Sequence, residues 1–208
     1  AESENDLNVL VREFERVCDR RKLKANVSKS KLLHVSREGT VGGLNVSLNG
    51  EQMEEVESVK YLSSHVAANC GVEVDVQQRV KEGSKLLGVM NGMFRNRTMH
   101  MDVKRCLYEG VVVPTTLYGS ETWGLKKNER RRLNVFEMKC LRSMCGVNRL
   151  DRVRNVTVRA RTGVNLELAD RVDMNVLRWF GHMERMDDER LTKRVWKSET
   201  TGQRGRGR

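Results

Sequence analysis

Aromatic side chains make up only 5% of this 208-residue chain. A broad platform for stacking nucleic-acid bases is therefore not indicated. No apolar run approaches the roughly 20 residues that a membrane-spanning helix needs, and no secretory leader pattern opens the chain. The five cysteines, Cys18, Cys70, Cys106, Cys140 and Cys145, are odd in number and scattered. With no leader, that pattern points to reduced thiols in a cytoplasmic or nuclear protein, not a secreted one. Cys140 and Cys145 lie five apart, which is not a zinc-knuckle spacing, and no metal site is expected. The sequence has no nucleophile elbow and no phosphate-binding glycine loop, and His34, His65, His100 and His182 stand apart from one another. The one adjacent aspartate pair, Asp187 and Asp188, precedes "ERLTKRV". Capping of the next helix suits it better than metal binding.

What is present is positive charge, unevenly spread. The net charge is +11. Residues 1–65 sum to −1, residues 66–125 to +1, residues 126–161 to +9 and residues 162–208 to +2. Nearly all the excess thus lies in one stretch, the pattern expected of a polyanion-binding surface. A solvated basic helix face is the alternative.

The hydrophobic periodicity predicts an α+β chain. Residues 5–22 read as an amphipathic helix capped by Asn5 or Asp6, with Leu7, Leu10, Val11, Phe14, Val17 and Cys18 on the inner face. Residues 32–36, 44–48 and 56–62 read as strands of a small antiparallel sheet, with Asn49-Gly50 as a turn. From Val72 the pattern turns helical. Val76, Val80, Leu87 and Phe94 share one face of a long helix. Met101 to Val113 follows, and Pro114, the only proline, interrupts or restarts it. Asn128 to Cys145 is the next helix, capped by Asn128 and ended by Gly146, with Leu133, Phe136, Cys140, Leu141 and Met144 inward. Residues 155–161 and Leu166 to Met186 are further helices, the last with Leu168, Val172, Val176, Trp179, Phe180 and Met183 inward. Tyr118 and Trp123 are expected to be packing residues, as are Trp179 and Phe180. The tail "ETTGQRGRGR" is basic, Gly-rich and expected to be disordered, with Arg204, Arg206 and Arg208 as nonspecific RNA contacts or part of a linker.

Six short stretches, "NVSKSK", "KYL", "LYGSETW", "FEMKCLRSM", "RTGV" and "RWFGHMERM", occur in this order over almost the whole chain. Together they resemble the reverse transcriptases of non-LTR (LINE-type) retrotransposons, especially the RTE-like group. The resemblance implies an RNA-directed DNA polymerase, a nucleotidyltransferase that uses Mg2+ when intact. It implies that the chain begins just past the catalytic aspartates, which are not in these residues. The fingers and most of the palm of the same polyprotein would then be missing partners, and the chain alone inactive. The implied domains are a palm remnant over 1–65, a helical thumb over 72–145, a basic helical extension over 146–197 and the tail over 198–208. The boundary between the first two lies near Ser64–Gly71.

By the same resemblance, Lys29 is the lysine near the incoming nucleotide, with Lys31 beside it. An ammonium there suits the charge that builds on departing pyrophosphate. "VKYLSSHV" resembles the primer grip, with Lys60, Tyr61 and Leu62 in place. The family commonly has Gly where this chain has Ser63. If the turn needs a positive φ, Ser is the costlier residue, and the departure hints at a decayed copy. The thumb and the start of the extension would hold an RNA template and RNA–DNA duplex by their phosphates through Lys126, Lys127, Arg130, Arg131, Arg132, Lys139, Arg142, Arg149, Arg152 and Arg154. Such contacts need positive charge and no base code. A non-catalytic RNA- or DNA-binding remnant, co-opted or not, and a decayed pseudogene product are the alternatives.

Overall fold

The computed structural model describes residues 1, 3–35 and 43–198. The chain is α+β and mainly helical, and it divides into two compact units, Ala1–Glu82 and Gly83–Arg208. Strands give way to helices between Ala67 and Glu73, close to where the sequence changes texture. The division itself falls ten residues into the long helix that follows. The last ten residues, with Arg204, Arg206 and Arg208, lie outside the described residues, as does most of the "REGTVGG" connection.

In the first unit, α1 spans Glu4–Arg20 and is capped by Ser3, whose Oγ accepts from the Asp6 amide at 3.1 Å. The cap is thus two to three residues earlier than the sequence suggests. The inner stripe expected for α1 is largely uncovered. Cys18 is buried, but Leu10, Phe14 and Val17 are exposed. The strands nearby are too short to cover a helix face, and polar bonds hold α1 to them instead. Asn8 Nδ2 donates to Asn45 O at 3.3 Å, and the Asn49 amide donates to Glu15 at 2.5 Å.

The expected single antiparallel sheet is three separate pairs. β1 (Lys31–Leu32) pairs in parallel with β4 (Glu54–Glu55). β2 (Ser47–Leu48) pairs antiparallel with β3 (Glu51–Gln52) around Asn49-Gly50. β5 (Ser58–Tyr61) pairs antiparallel with β6 (Ser64–Ala67). The turn expected at Asn49-Gly50 forms, with both residues at positive φ, and Leu62 and Ser63 make a second such turn between β5 and β6. Each expected strand pairs not with another of the three but with a short unexpected one, β4, β3 or β6. A two-residue strand carries too little alternation to specify its register.

α2 spans Glu73–Arg95. In the second unit its later half is followed by α3 (Met101–Leu107), a π-helical turn (Tyr108–Val112) and α4 (Val113–Thr116). Pro114 lies within the first turn of α4, and the break expected there falls instead at the π-helical turn before it. Then come α5 (Lys127–Met144), α6 (Asn155–Thr162), α7 (Leu168–Glu184) and α8 (Leu191–Lys197). α5 is the axis of this unit. Leu133, Phe136, Cys140, Leu141 and Met144 are all buried, as their spacing predicts. Its N-cap is Lys126, not Asn128, and the Glu129 carboxylate accepts from the Lys126 amide at 3.0 Å. Gly146 ends it at φ +67, where a side chain would be strained.

Residues 146–197 do not form a body of their own: α6 and α7 pack on α5. Charged bonds fix that packing. Arg171 grips Glu109 through two bonds of 2.7 Å, and Arg130 grips Asp173 at 2.5 and 2.7 Å. Two buried lysines cap helix ends, Lys104 on Met144 O and Lys193 on Glu184 O and Met186 O. Trp123 is buried as expected, but Tyr118 and Phe180 are half exposed. Phe180 meets Trp196 edge-on at 5.9 Å. Pairing with an aromatic that follows in the next helix is not visible in the period of α7 alone.

Candidate nucleic-acid interface

Side chains on α5 repeat at three- and four-residue steps, so one helix can have an apolar face and a basic face. The inner stripe is described above. On the opposite side Lys127, Arg131, Asn134, Val135, Met138 and Arg142 follow one another up the helix, with Lys139 alongside. The later half of α2 supplies a second wall through Ser84, Leu87, Gly88, Asn91 and Arg95 at the same periodicity. Between them runs a groove of about 1410 Å³, lined also by residues 147–149 and by the start of α6. Seven cationic side chains line it, against the single carboxylate of Glu167. No aromatic residue lines it.

The groove is built rather than incidental. Ser143 Oγ donates to Asn91 Oδ1 at 2.8 Å, tying its two walls together. Arg142 spends its guanidinium on the fold, donating to Val153 O at 3.3 Å and Asn155 Oδ1 at 2.6 Å. That fixes the loop after α5. Within the loop Asn148 accepts from the Leu150 amide and donates its own amide to Asp151, each at 2.7 Å, presenting Arg149 at the rim.

Below the groove lies a buried polar centre. Glu137 is fully buried on α5. Its carboxylate accepts from Tyr108 Oη at 3.0 Å, from Arg159 Nη2 at 2.6 Å and from the Leu168 amide at 3.4 Å. One carboxylate thereby joins the π-helical turn, α5, α6 and α7, and Arg159 neutralises it. Burial, then the nearby Glu137 charge, drives the Tyr108 hydroxyl well above the usual phenol range. The same two causes push the Cys140 thiol up to about 12, so it is an inert core group.

The basic residues singled out by sequence separate into classes. Lys127, Arg131, Lys139, Arg142 and Arg149 share the groove. Arg130 turns away from it to pair with Asp173, a hydrogen bond that holds its guanidinium still more firmly protonated. Lys126, Arg132, Arg152 and Arg154 are exposed and outside the groove lining. Arg95 and Arg159, which do line it, were missed. Arg95 carries the helical period of α2, but Arg159 is brought in only by the fold.

In the first unit Lys29 is exposed at the end of a 3₁₀ turn just before β1, and Lys31 is paired with Glu54. Lys60 and Tyr61 are exposed beside the tip of the β5–β6 hairpin. That tip is pinned from beneath. Arg79, buried on α2, donates to Ser63 O at 2.7 Å, and Asp75 accepts from the His65 amide at 2.9 Å. Ser63 does adopt a positive φ, +69°.

Among the described residues no three of His, Cys, Asp or Glu converge as a metal site. Asp187 and Asp188 do not fit one: Asp187 accepts from the Glu189 amide, and Asp188 is paired with Lys197 and Lys193. Nor is any helix among the described residues long and apolar enough to cross a membrane. A comparison with models of known families, with curated proteins and with solved structures finds no match for this chain.

Proposed function

We propose that the groove between α2 and α5 holds the phosphate backbone of RNA or of an RNA–DNA duplex. On this reading the chain is the template–primer-gripping part of a reverse transcriptase like those of non-LTR retrotransposons. The observation that carries the binding is the groove lining, rich in cations and without an aromatic. Cations without stacking rings suit a backbone ligand and give no base specificity. The six sequence stretches supply the polymerase part of the reading, and with it the palm remnant, the thumb and a nucleotide-proximal Lys29.

Magnesium belongs to that reading for an intact polymerase, but no carboxylate set described here fits it. No catalytic step is assigned to residues of this chain, and the chain alone is expected not to extend a primed RNA template. Extension in proportion to the amount of a polymerase-free preparation would overturn that.

The binding test is titration of a short mixed-sequence RNA–DNA hybrid over a range of salt. Wild type should bind, with affinity falling steeply as salt rises. Arg131→Glu with Lys139→Glu should weaken binding more than tenfold and flatten the salt slope by about two or more counterions. An unchanged slope would mean that the groove is not the site. Tight binding of an acidic protein in preference to the hybrid would reassign the groove to a protein partner.

A further inference from the structure

The single carboxylate in the groove is oddly placed. Glu167 stands at the N-cap of α7, with its side chain 41% exposed. It accepts from Asn134 Nδ2 at 2.6 Å and lies 3.3 Å from Arg159 Nη2. Arg159 therefore faces two anions through one nitrogen, Glu137 at 2.6 Å and Glu167 at 3.3 Å. They are not equivalent. Glu137 is fully buried and needs its cation, because an uncompensated buried charge is severely destabilising. Glu167 reaches water and loses little if Arg159 turns from it. Asn134 is in a similar position. Its Oδ1 is buried without a hydrogen-bond partner among the described residues, so Glu167 is the contact that keeps the amide as it is.

We propose that Glu167 is a built-in competitor for the ligand phosphate. This rests on the groove being a backbone-binding site. Before binding, Glu167 occupies the outer face of Arg159 and the amide of Asn134. A phosphate entering the groove takes both over, while Glu137 keeps Arg159 anchored from below. Glu167 then faces the phosphate as a like charge. It lowers affinity and favours release, as suits a surface that must move along its ligand rather than hold one place.

The test measures binding of the same hybrid by wild type, Glu167→Gln and Glu189→Gln across a salt series. Glu189 is exposed and outside the groove lining, so its variant carries the same charge change elsewhere. Glu167→Gln should bind about fivefold tighter, the scale of one partly screened charge interaction. Its salt slope should steepen by about one counterion, and Glu189→Gln should match wild type. Glu167→Ser removes the charge and puts a residue suited to an N-cap in its place; it must reproduce the gain, which guards against an effect peculiar to Gln. If wild type binds through the groove but Glu167→Gln and Glu167→Ser do not bind more tightly, the competitor role fails and the groove reading stands. An equal gain in Glu189→Gln also overturns it, since net charge would then suffice. If none of the proteins binds, both readings fail.

Discussion

Tyr108 donates its hydroxyl proton to Glu137 at 3.0 Å, 29 residues away in sequence and wholly inside the helical unit. Tyr108→Phe removes one of the partners of a carboxylate that Arg159 still holds. The expected loss is about 1–2 kcal/mol in urea unfolding. Glu137→Ala strands Arg159 and the Leu168 amide and should cost about 3–5 kcal/mol. The pH dependence has a definite sign. The folded pKa of Tyr108 is raised above its unfolded value. Its neutral form therefore contributes stability fully below about pH 10, the unfolded value, and that contribution is lost as pH rises beyond it. Tyr108→Phe should be less sensitive to alkaline unfolding than wild type. Equal sensitivity would show that the hydroxyl is not buried against Glu137.

Gly83 sits where α2 crosses α4 and α5. A Cβ there would lie 2.6 Å from Thr116 Oγ1 and 2.7 Å from Phe136 Cζ. Neither neighbour has room to move, since both are buried. Gly83→Ala should therefore destabilise by about 1–3 kcal/mol, although alanine favours a helix by about 1 kcal/mol. Thermal unfolding measures the balance, and a higher melting temperature would mean that the close approach is absent.

The β5–β6 hairpin makes the opposite prediction. Ser63 holds φ +69° with Arg79 fastened to its carbonyl. Ser63→Gly relieves backbone strain and should stabilise by up to about 1 kcal/mol. Arg79→Met keeps most of the buried stem but loses the bond to the hairpin tip, and should raise amide exchange in residues 58–67. Unchanged exchange would show that the tip does not depend on Arg79.

Arg130 and Arg131 are neighbours with different expected behaviour. Arg131 faces the groove, whereas Arg130 holds Asp173 on α7. Arg131→Ala should weaken binding of the hybrid with little change in unfolding. Arg130→Ala should lower stability by about 1 kcal/mol or less, as for a partly exposed pair, and leave the salt slope of binding alone. Reversal of the two outcomes would mean that the two side chains exchange places in solution.

Several of these features were legible before the structure. The inner stripe of α5, the turn at Asn49-Gly50 and the stop at Gly146 follow from local rules, and each is present. The charge concentrated in residues 126–161 falls on α5, the loop after it and α6, and six of its cations line the groove. The β1 pairing and the cover of α1 were not legible. Two-residue strands leave almost no pattern, and the exposed Leu10, Phe14 and Val17 read in sequence just as a buried stripe would.

The sequence by itself determined where the helices run, which face of α5 is apolar, and that a cationic surface lies on it. Those properties repeat every three to four residues and need no partner to be read. Only the tertiary structure decided which cations share the groove. Arg130 is removed from the groove by Asp173, 43 residues on, and Arg159 is brought into it by Glu137, 22 residues back. The fate of a charge depends on what packs against it, and no local period records that.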